Sequence, residues 1–396
     1  MDLSPEEKEV GQQNFLEAAG ATRRDFLKGT VLATATAGTT LGAAYYKYGE
    51  VGKDRLRVGI IGTGDEGGVL IGALNPDYID VVAVADIRPY STHRAFHGDN
   101  YSSGTIKARP GLMRVYGWKT EDEARKQVKV YEHPDGGYKQ MLDDKDLDIE
   151  AVIIALPLHL HNEAAIYAMK KGKHVLTEKL MGHSVGECKE MARVADETGL
   201  ILATGHQRHY NILYDNAVDQ ISSGLIGDIH HIRAQWHRAN LPGRDSWQPP
   251  LPCPFVSEED YKNLIRAARK VSKQAEQDVR DEYKLLGEYY AWKRKLDTTT
   301  GAESDTWAMK VAQKRQQIED YVVKATAPNY GYQEKSLPVG RKRTPLEELI
   351  RWRLWDRTGG GLMAELGSHQ LDAASIFISA QSEGRQKMMP LSVTGV

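Results

Sequence analysis

The sequence predicts an α/β fold built on a doubly wound parallel sheet, followed by a second domain. Three observations predict it. A short β-branched run, Leu56-Arg-Val-Gly-Ile-Ile61, leads straight into Gly62-Thr-Gly64-Asp-Glu-Gly67. A second apolar run, Ile79 to Ala85, ends on Asp86, 22 residues beyond Gly64. From there to Thr204, apolar runs of strand length alternate with helical patterns, as a parallel sheet with crossover helices requires.

Taken in order, the run at 56–61 reads as a buried parallel strand. The helix after it has Val69, Leu70, Ala73 and Leu74 as its apolar positions. Residues 88–118 are polar and read as a long irregular loop. Tyr138 to Asp144 reads as a short helix. Ala151 to Leu156 is another buried strand, stopped by Pro157. Asn162 to Lys171 reads as a helix with Gly172 at its end. His174 to Thr177 is a strand that delivers Glu178 and Lys179. Ser184, with Glu187 three residues on, forms a capping box for the next helix. Leu200 to Thr204 is a further strand, and Asp228 to His237 a plausible one. Residues 257–325 are rich in Lys, Arg, Glu, Gln and Ala and read as two long amphipathic helices, broken at Asp297-Thr-Thr-Thr-Gly301. Their charge reads as a solvated face.

The composition bounds the function. With 396 residues the chain has room for two to three domains. It is 41% hydrophobic and 27% charged, which is globular and excludes disorder, collagen and coiled coil. Lys and Arg number 52 against 54 Asp and Glu, a net −2, so the basic stripe of a nucleic-acid binder is missing. Two cysteines, Cys188 and Cys253, cannot make a disulfide framework or a cysteine zinc site.

Residues 1–50 read as an address. Thr22-Arg-Arg-Asp-Phe-Leu-Lys28 precedes the uncharged stretch Gly29 to Tyr46, the pattern of a twin-arginine export signal. The alternative is an ordinary first helix with an arginine pair, but the stretch has neither a polar face nor an acid. Ala35-Thr-Ala37 and Gly42-Ala-Ala44 offer small-residue cleavage sites; uncut, the segment would act as an anchor. The expected partner is the twin-arginine translocase, and the expected location is the periplasm or the periplasmic face of a membrane. A protein exported folded, and needing a soluble cofactor, must carry it along.

The glycine loop has a specific chemistry. Gly62 permits a tight turn, Gly64 lets backbone approach a pyrophosphate, and Gly67 lets the helix pack close to the strand. The helix N-terminus offers unpaired N–H groups to the phosphates. Asp86 can accept hydrogen bonds from ribose hydroxyls. The alternative is a purely structural glycine turn. Asp65 and Glu66 put carboxylates beside the expected pyrophosphate, which requires them to point away. Arg88 lies where it can receive a 2′-phosphate, but Asp86 repels one, so NAD is expected, with NADP as the alternative.

Five motifs occur in order: Gly62-x-Gly64-x-x-Gly67, Asp86, Pro157-Leu-His-Leu-His161, Gly172-Lys-His-Val-Leu-Thr-Glu178-Lys179, and Gly359-Gly-Gly-Leu-Met-Ala-Glu365-Leu-Gly-Ser-His369-Gln-Leu-Asp372. In this set the sequence resembles the Gfo/Idh/MocA oxidoreductases over residues 55–240 and 345–396. The resemblance implies a Rossmann domain (51–180) and a C-terminal α/β domain (181–396) with a mostly antiparallel sheet. It makes the helices at 257–325 an insertion. It also implies hydride transfer between a nicotinamide and a sugar or polyol carbon, and a homo-oligomer. The family's Glu-Lys-Pro reads Glu178-Lys179-Leu180 here, and Glu365 stands where Asp is frequent. The chain stops at Val396, where relatives continue through more strands, so the second domain reads as truncated.

Site residues follow. Cofactor contacts are expected from Gly62, Thr63, Gly64, Gly67, Asp86, Arg88, Glu178 and Lys179. The resemblance adds the loop of Leu156, Pro157 and His161, near the nicotinamide ribose. Lys179 can hydrogen-bond a substrate hydroxyl and stabilise developing oxyanion charge. Read alone it is as readily a solvated lysine. Glu365, His369 and Asp372, spaced i, i+4, i+7, share one helix face. His369 can take the hydroxyl proton, with a nearby carboxylate orienting the ring and favouring its charged form. A capped core helix and a metal site are the alternatives for this trio. Arg208, Trp236, His237 and Arg238 are expected to line a sugar site.

Two enzymatic functions and one binding function remain open. The first is an NAD(P)-dependent oxidoreductase acting on a sugar, polyol or sugar acid. The second is a redox-neutral glycoside hydrolase on the same fold, in which oxidation of a hydroxyl acidifies the neighbouring C–H, the aglycone is eliminated, water adds, and the keto sugar is reduced again. The third is a non-catalytic sugar-binding or assembly protein.

Overall fold

The computed structural model describes residues 55–132, 137–237, 247–338 and 340–394. The export-signal motif and Arg238 lie outside them. Among the described residues no helix is long and apolar enough to cross a membrane.

Six strands form one parallel sheet: β1 (Leu56–Ile61), β2 (Ile79–Ala85), β3 (Lys129–Tyr131), β4 (Ala151–Ile154), β5 (His174–Thr177) and β6 (Leu202–Thr204). Their order is β3-β2-β1-β4-β5-β6. Chain order reverses between β1 and β4, and a ligand crevice opens at the carboxyl ends of those strands. Because β6 belongs to this sheet, the parallel-sheet domain runs past the expected boundary at 180.

The strands are apolar on both faces because each face has its own helical layer. Ile60, Ile71, Val81, Val84, Phe96 and Leu112 pack on one side. Ile61, Ala83, Ala85, Met141, Ile154 and Ala164 pack on the other. The alternation in β2 skips once: Val58 pairs with Val81, but Gly59 pairs with Ala83. This bulge puts Val81 and Val84 on the same side.

Residues 88–118 are not a loop. They form three short helices, Pro89–His97, Ser103–Ala108 and Leu112–Tyr116. The segment reads as polar because Arg94, Asp99 and Asn100 are buried in it as an ion and hydrogen-bond network. Apolar periodicity cannot register such a face. Ser184 and Glu187 make the expected capping box on Val185–Thr198.

Beyond β6 the expected mostly antiparallel sheet is reduced, among the described residues, to two short strands, β7 (Lys335–Ser336) and β8 (Lys342–Arg343). Residues 228–237 run without strand pairing, since no described neighbour offers them a ladder. The 257–325 segment forms helices Glu258–Val271, Lys273–Glu282, Lys284–Asp297 and Ala302–Glu319. The break at 298–301 is where expected. The first long helix is further divided because the Ser272 side chain accepts from the Ala275 amide and caps a new helix. Leu285, Leu286, Tyr290 and Ile318 of this segment form a separate small core with Cys253, which precedes it.

Candidate active site

The glycine loop fits a dinucleotide on steric grounds. Gly62 has φ +86°, and a Cβ there would lie 2.5 Å from the Ala155 carbonyl oxygen. A Cβ on Gly67 would lie 2.2 Å from the Gly62 carbonyl oxygen. These two glycines are therefore demanded by the protein's own packing. At Gly64 a Cβ would meet nothing within 4 Å, so this glycine faces open space, where a phosphate can approach the backbone. Helix Asp65–Ala73 begins at Gly64 with no side-chain cap, which leaves its first amides free to donate.

Asp86 is held at the end of β2. Its Oδ2 accepts from the Thr63 amide (2.8 Å) and hydroxyl (3.2 Å), and its Oδ1 from the Arg88 amide (2.9 Å). Thr63 is thus a buried buttress for Asp86, rather than a direct cofactor contact.

The two acids of the loop differ. Burial pushes Asp65 up, but Arg94 and Arg109 outweigh it and hold the carboxyl well below its ordinary range. Arg94 Nη1 donates to Asp65 Oδ1 at 2.7 Å, with its guanidinium 4.1 Å from the centre of the Tyr90 ring. Both acids line the cleft, and the Asp65 charge is balanced rather than turned away.

Arg88 does not wait for a phosphate. Its Nε and Nη2 both donate to Asp320 Oδ2, each at 2.8 Å. Asp320 Oδ1 also accepts from the Tyr90 amide at 2.9 Å. Arg88 as a cofactor ligand is therefore corrected: its guanidinium is tied to a residue that local sequence patterns could not pair with it.

The catalytic end is assembled from four segments. Leu156 and Pro157 follow β4 and line the cleft. The buried His161 ring sits between two main-chain oxygens, Leu156 O at 2.8 Å from Nε2 and Leu180 O at 2.7 Å from Nδ1. Burial favours the neutral ring, which donates to one of these oxygens, so both nitrogens face the main chain of the loops after β4 and β5. Glu178 and Lys179 leave β5 at the cleft wall, and the Lys179–Leu180 peptide is cis. Burial, with the nearby Glu66 and Glu365, raises the Glu178 carboxyl to about 7. Lys179 Nζ donates to the Glu365 main-chain oxygen at 2.7 Å.

Glu365 lies in a π-helical turn, Met363–Gly367, directly before helix Ser368–Ser379. Such turns recur at functional sites. Glu365 and His369 both line the cleft, but Asp372 does not. Each acid has its own partner: Arg353 Nε donates to Glu365 Oε2 (3.0 Å), and His209 Nε2 lies 2.8 Å from Asp372 Oδ1. The expectation that a carboxylate favours charged His369 is overturned. Burial, then Lys179, Arg208 and His206, push the ring's pKa down, and Asp372 only partly opposes them. Neutral His369 packs 5.4 Å from the Trp236 ring centre.

Of the expected sugar-site residues, Trp236 lines the cleft. Arg208 turns instead to the Tyr214 ring, 5.3 Å away, and His237 is exposed outside the cleft. Sequence reasoning missed His159, Tyr332, Trp352, Arg353 and Asp320, all on the wall. His159 is pushed down to about 4 by burial and Arg357, and its ring meets Tyr332 edge-on at 5.7 Å. It had a cue, since it lies inside the Pro157–His161 motif. Together these residues enclose a cleft of about 1350 Å³ that runs from Gly64 to His369.

Residues 56–206 match the profile described as oxidoreductase family, NAD-binding Rossmann fold. Over these residues the chain is similar to the Gfo/Idh/MocA oxidoreductases. An uncharacterised oxidoreductase of Schizosaccharomyces pombe is 32% identical over 152 residues, 36% of this chain and 40% of that protein. The scyllo-inositol 2-dehydrogenase (NADP+) of Bacillus subtilis is 26% identical over 197 residues, 49% of this chain and 45% of that protein. A glycosyl hydrolase family 109 protein of Solibacter usitatus is 24% identical over 231 residues, 53% of this chain and 44% of that protein. The chain spans less than half the length of each of these relatives. The match to the NAD-binding Rossmann profile, residues 56–206, spans Asp86, His161 and Lys179.

Proposed function

We propose that the protein is an NAD-dependent oxidoreductase that moves a hydride to or from a sugar, polyol or sugar acid. One observation carries this reading: Lys179 and neutral His369 line the same cleft as the open Gly64. The glycine loop and the helix N-terminus beyond it would hold the pyrophosphate, and Asp86 the adenosine ribose. The bound nicotinamide supplies the hydride acceptor or donor.

This chain's residues handle the proton and the oxygen. One Lys179 N–H is used on the Glu365 carbonyl, which leaves two to donate to the substrate oxygen. His369, kept neutral, takes the hydroxyl proton as the carbinol becomes a carbonyl. The Trp236 face packs against a sugar ring, with Arg353 and His159 as polar neighbours. A direct test denatures the purified protein, with no cofactor added, and identifies released nucleotide by mass spectrometry. A resident NAD(H) supports the reading. Nothing released, and no binding on titration, overturns it.

Glu178 favours a second reading, the redox-neutral glycoside hydrolase. A carboxyl that titrates near neutrality can both take and give a proton, as elimination and hydration require. Turnover of a glycoside in heavy water separates the two. The hydrolase incorporates deuterium at carbon with no net nicotinamide reduction; the oxidoreductase reduces its nicotinamide and leaves carbon unlabelled.

We further propose export by the twin-arginine translocase, on the strength of Thr22-Arg-Arg-Asp-Phe-Leu-Lys28. Replacing Arg23 and Arg24 with lysine should hold the protein in the cytoplasm, which cell fractionation reads. A homo-oligomer is proposed on the family resemblance alone, and sedimentation tests it.

A further inference from the structure

The contact between Arg88 and Asp320 joins the cofactor cleft to the helical insertion. Helix Ala302–Glu319 and its C-cap Asp320 are docked on the first domain at two points along one face. The Gln313 amide group donates to Asp99 Oδ1 (2.8 Å) and accepts from the Asn100 amide (2.6 Å). Seven residues later, on the same face, Asp320 receives Arg88 and the Tyr90 amide. Asp320 is 1% exposed, and Arg88 and Asp86 line the cleft beside it.

We propose that Asp320 determines cofactor choice: by holding the Arg88 guanidinium, it denies the cation next to Asp86 to a 2′-phosphate, and so selects NAD over NADP. The inference rests on the dinucleotide reading above.

The charge arithmetic is simple. Arg88, Asp86 and Asp320 together carry one positive and two negative charges, a net −1. A 2′-phosphate would bring close to two more negative charges into that surrounding. Nε and Nη2 of Arg88 both lie on one Asp320 oxygen, so the pair offsets the cation's charge and fixes its orientation, and turning Arg88 fully onto a phosphate would leave a buried, uncompensated carboxylate. A ribose 2′-hydroxyl makes no such demand. It needs only an acceptor, which Asp86 provides. The discriminating residue thus lies 232 positions from the arginine it controls, outside the nucleotide-binding motif.

Calorimetric titration of the full chain with NAD+ and with NADP+ tests this. Wild type should prefer NAD+. Asp320→Asn keeps the shape and removes the charge, and should raise NADP+ affinity relative to NAD+ by roughly tenfold or more. A second variant guards against misfolding. Arg88→Met with Asp320→Leu removes the pair without stranding a buried charge. It should keep the wild-type preference, because Arg88 contributes nothing to a phosphate in the wild type. An unchanged ratio in Asp320→Asn, with nucleotide still bound, overturns this inference alone. So does a selective loss of NADP+ binding in the double variant. Failure of wild type to bind either nucleotide overturns the dinucleotide reading and this inference with it.

Discussion

Lys179 Nζ donates to the main-chain oxygen of Glu365, 186 residues away, at 2.7 Å. The bond ties the end of β5 to the π-turn that carries the His369 helix. It therefore fixes the lysine ammonium against the backbone that leads into the histidine helix. The Glu365 side chain is occupied separately by Arg353. Glu365 is consequently a positioning residue, and its carbonyl matters more to Lys179 than its charge.

Glu365→Gln should accordingly leave most activity in place. The carbonyl survives, and the amide oxygen can still accept from Arg353. A loss of kcat within about tenfold is expected; a loss on the order of 10²–10⁴, the range for removing an acid or base, would give the carboxylate itself a role in proton transfer.

In the proposed reaction, His369 sets the acid limb of the pH profile. As a base it works only when neutral, so activity falls as pH drops through its pKa. Burial, with Lys179, Arg208 and His206, holds that pKa below the ordinary imidazole value of 6.5. kcat/KM should stay flat from neutrality down past that value and fall only at lower pH. Arg208→Ala removes one of the cations and should shift the limb upward. A limb that does not move with Arg208→Ala would contradict this electrostatic account.

Glu178 links stability to pH. Its carboxyl is raised from 4.5 to about 7 in the folded protein, so the neutral form is the one that folding favours. Its favourable contribution is complete below 4.5 and is lost as pH rises to about 7. Glu178→Gln, neutral throughout, should therefore gain on wild type across that window, by about 1–3 kcal/mol at the alkaline end. Thermal melts of both proteins across the window read it. A constant difference would remove the raised carboxyl from the account.

The three loop glycines should divide by cause. Gly62→Ala meets the Ala155 carbonyl in a positive-φ position, so it should destabilise the fold by at least about 2 kcal/mol. Gly64→Ala meets nothing, so melting should hardly change while nucleotide affinity falls. Equal effects of the two on melting would contradict the distinction between packing glycine and ligand-facing glycine.

How much was legible in the sequence follows from distance along the chain. Five of the six parallel strands, the glycine turn at Gly62 and the placement of Asp86 were readable because each is dictated by residues within one turn or one strand; β3, three residues long, is too short to show a pattern. Helices 89–116 were not, because Arg94 and Asp99 bury charge where periodicity looks for apolar residues. Arg88–Asp320, Arg353–Glu365 and His209–Asp372 were not either. Each joins separate segments, and no local spacing encodes which acid takes which cation. The missed pairings also explain the corrected roles. Arg88 and Asp372 are the right residue types in the right neighbourhoods, but each is already paired elsewhere.

In the proposed reaction Lys179 acts on substrate in a cleft that binds nicotinamide. The most direct measurement is the near-ultraviolet absorbance of reduced nicotinamide when NAD+-loaded protein meets a panel of polyols, sugars and glycosides. Wild type should develop that absorbance with at least one of them. Lys179→Met should bind the nucleotide equally well and develop none. The same absorbance in Lys179→Met, or none from any compound in wild type with nucleotide bound, would contradict the claim.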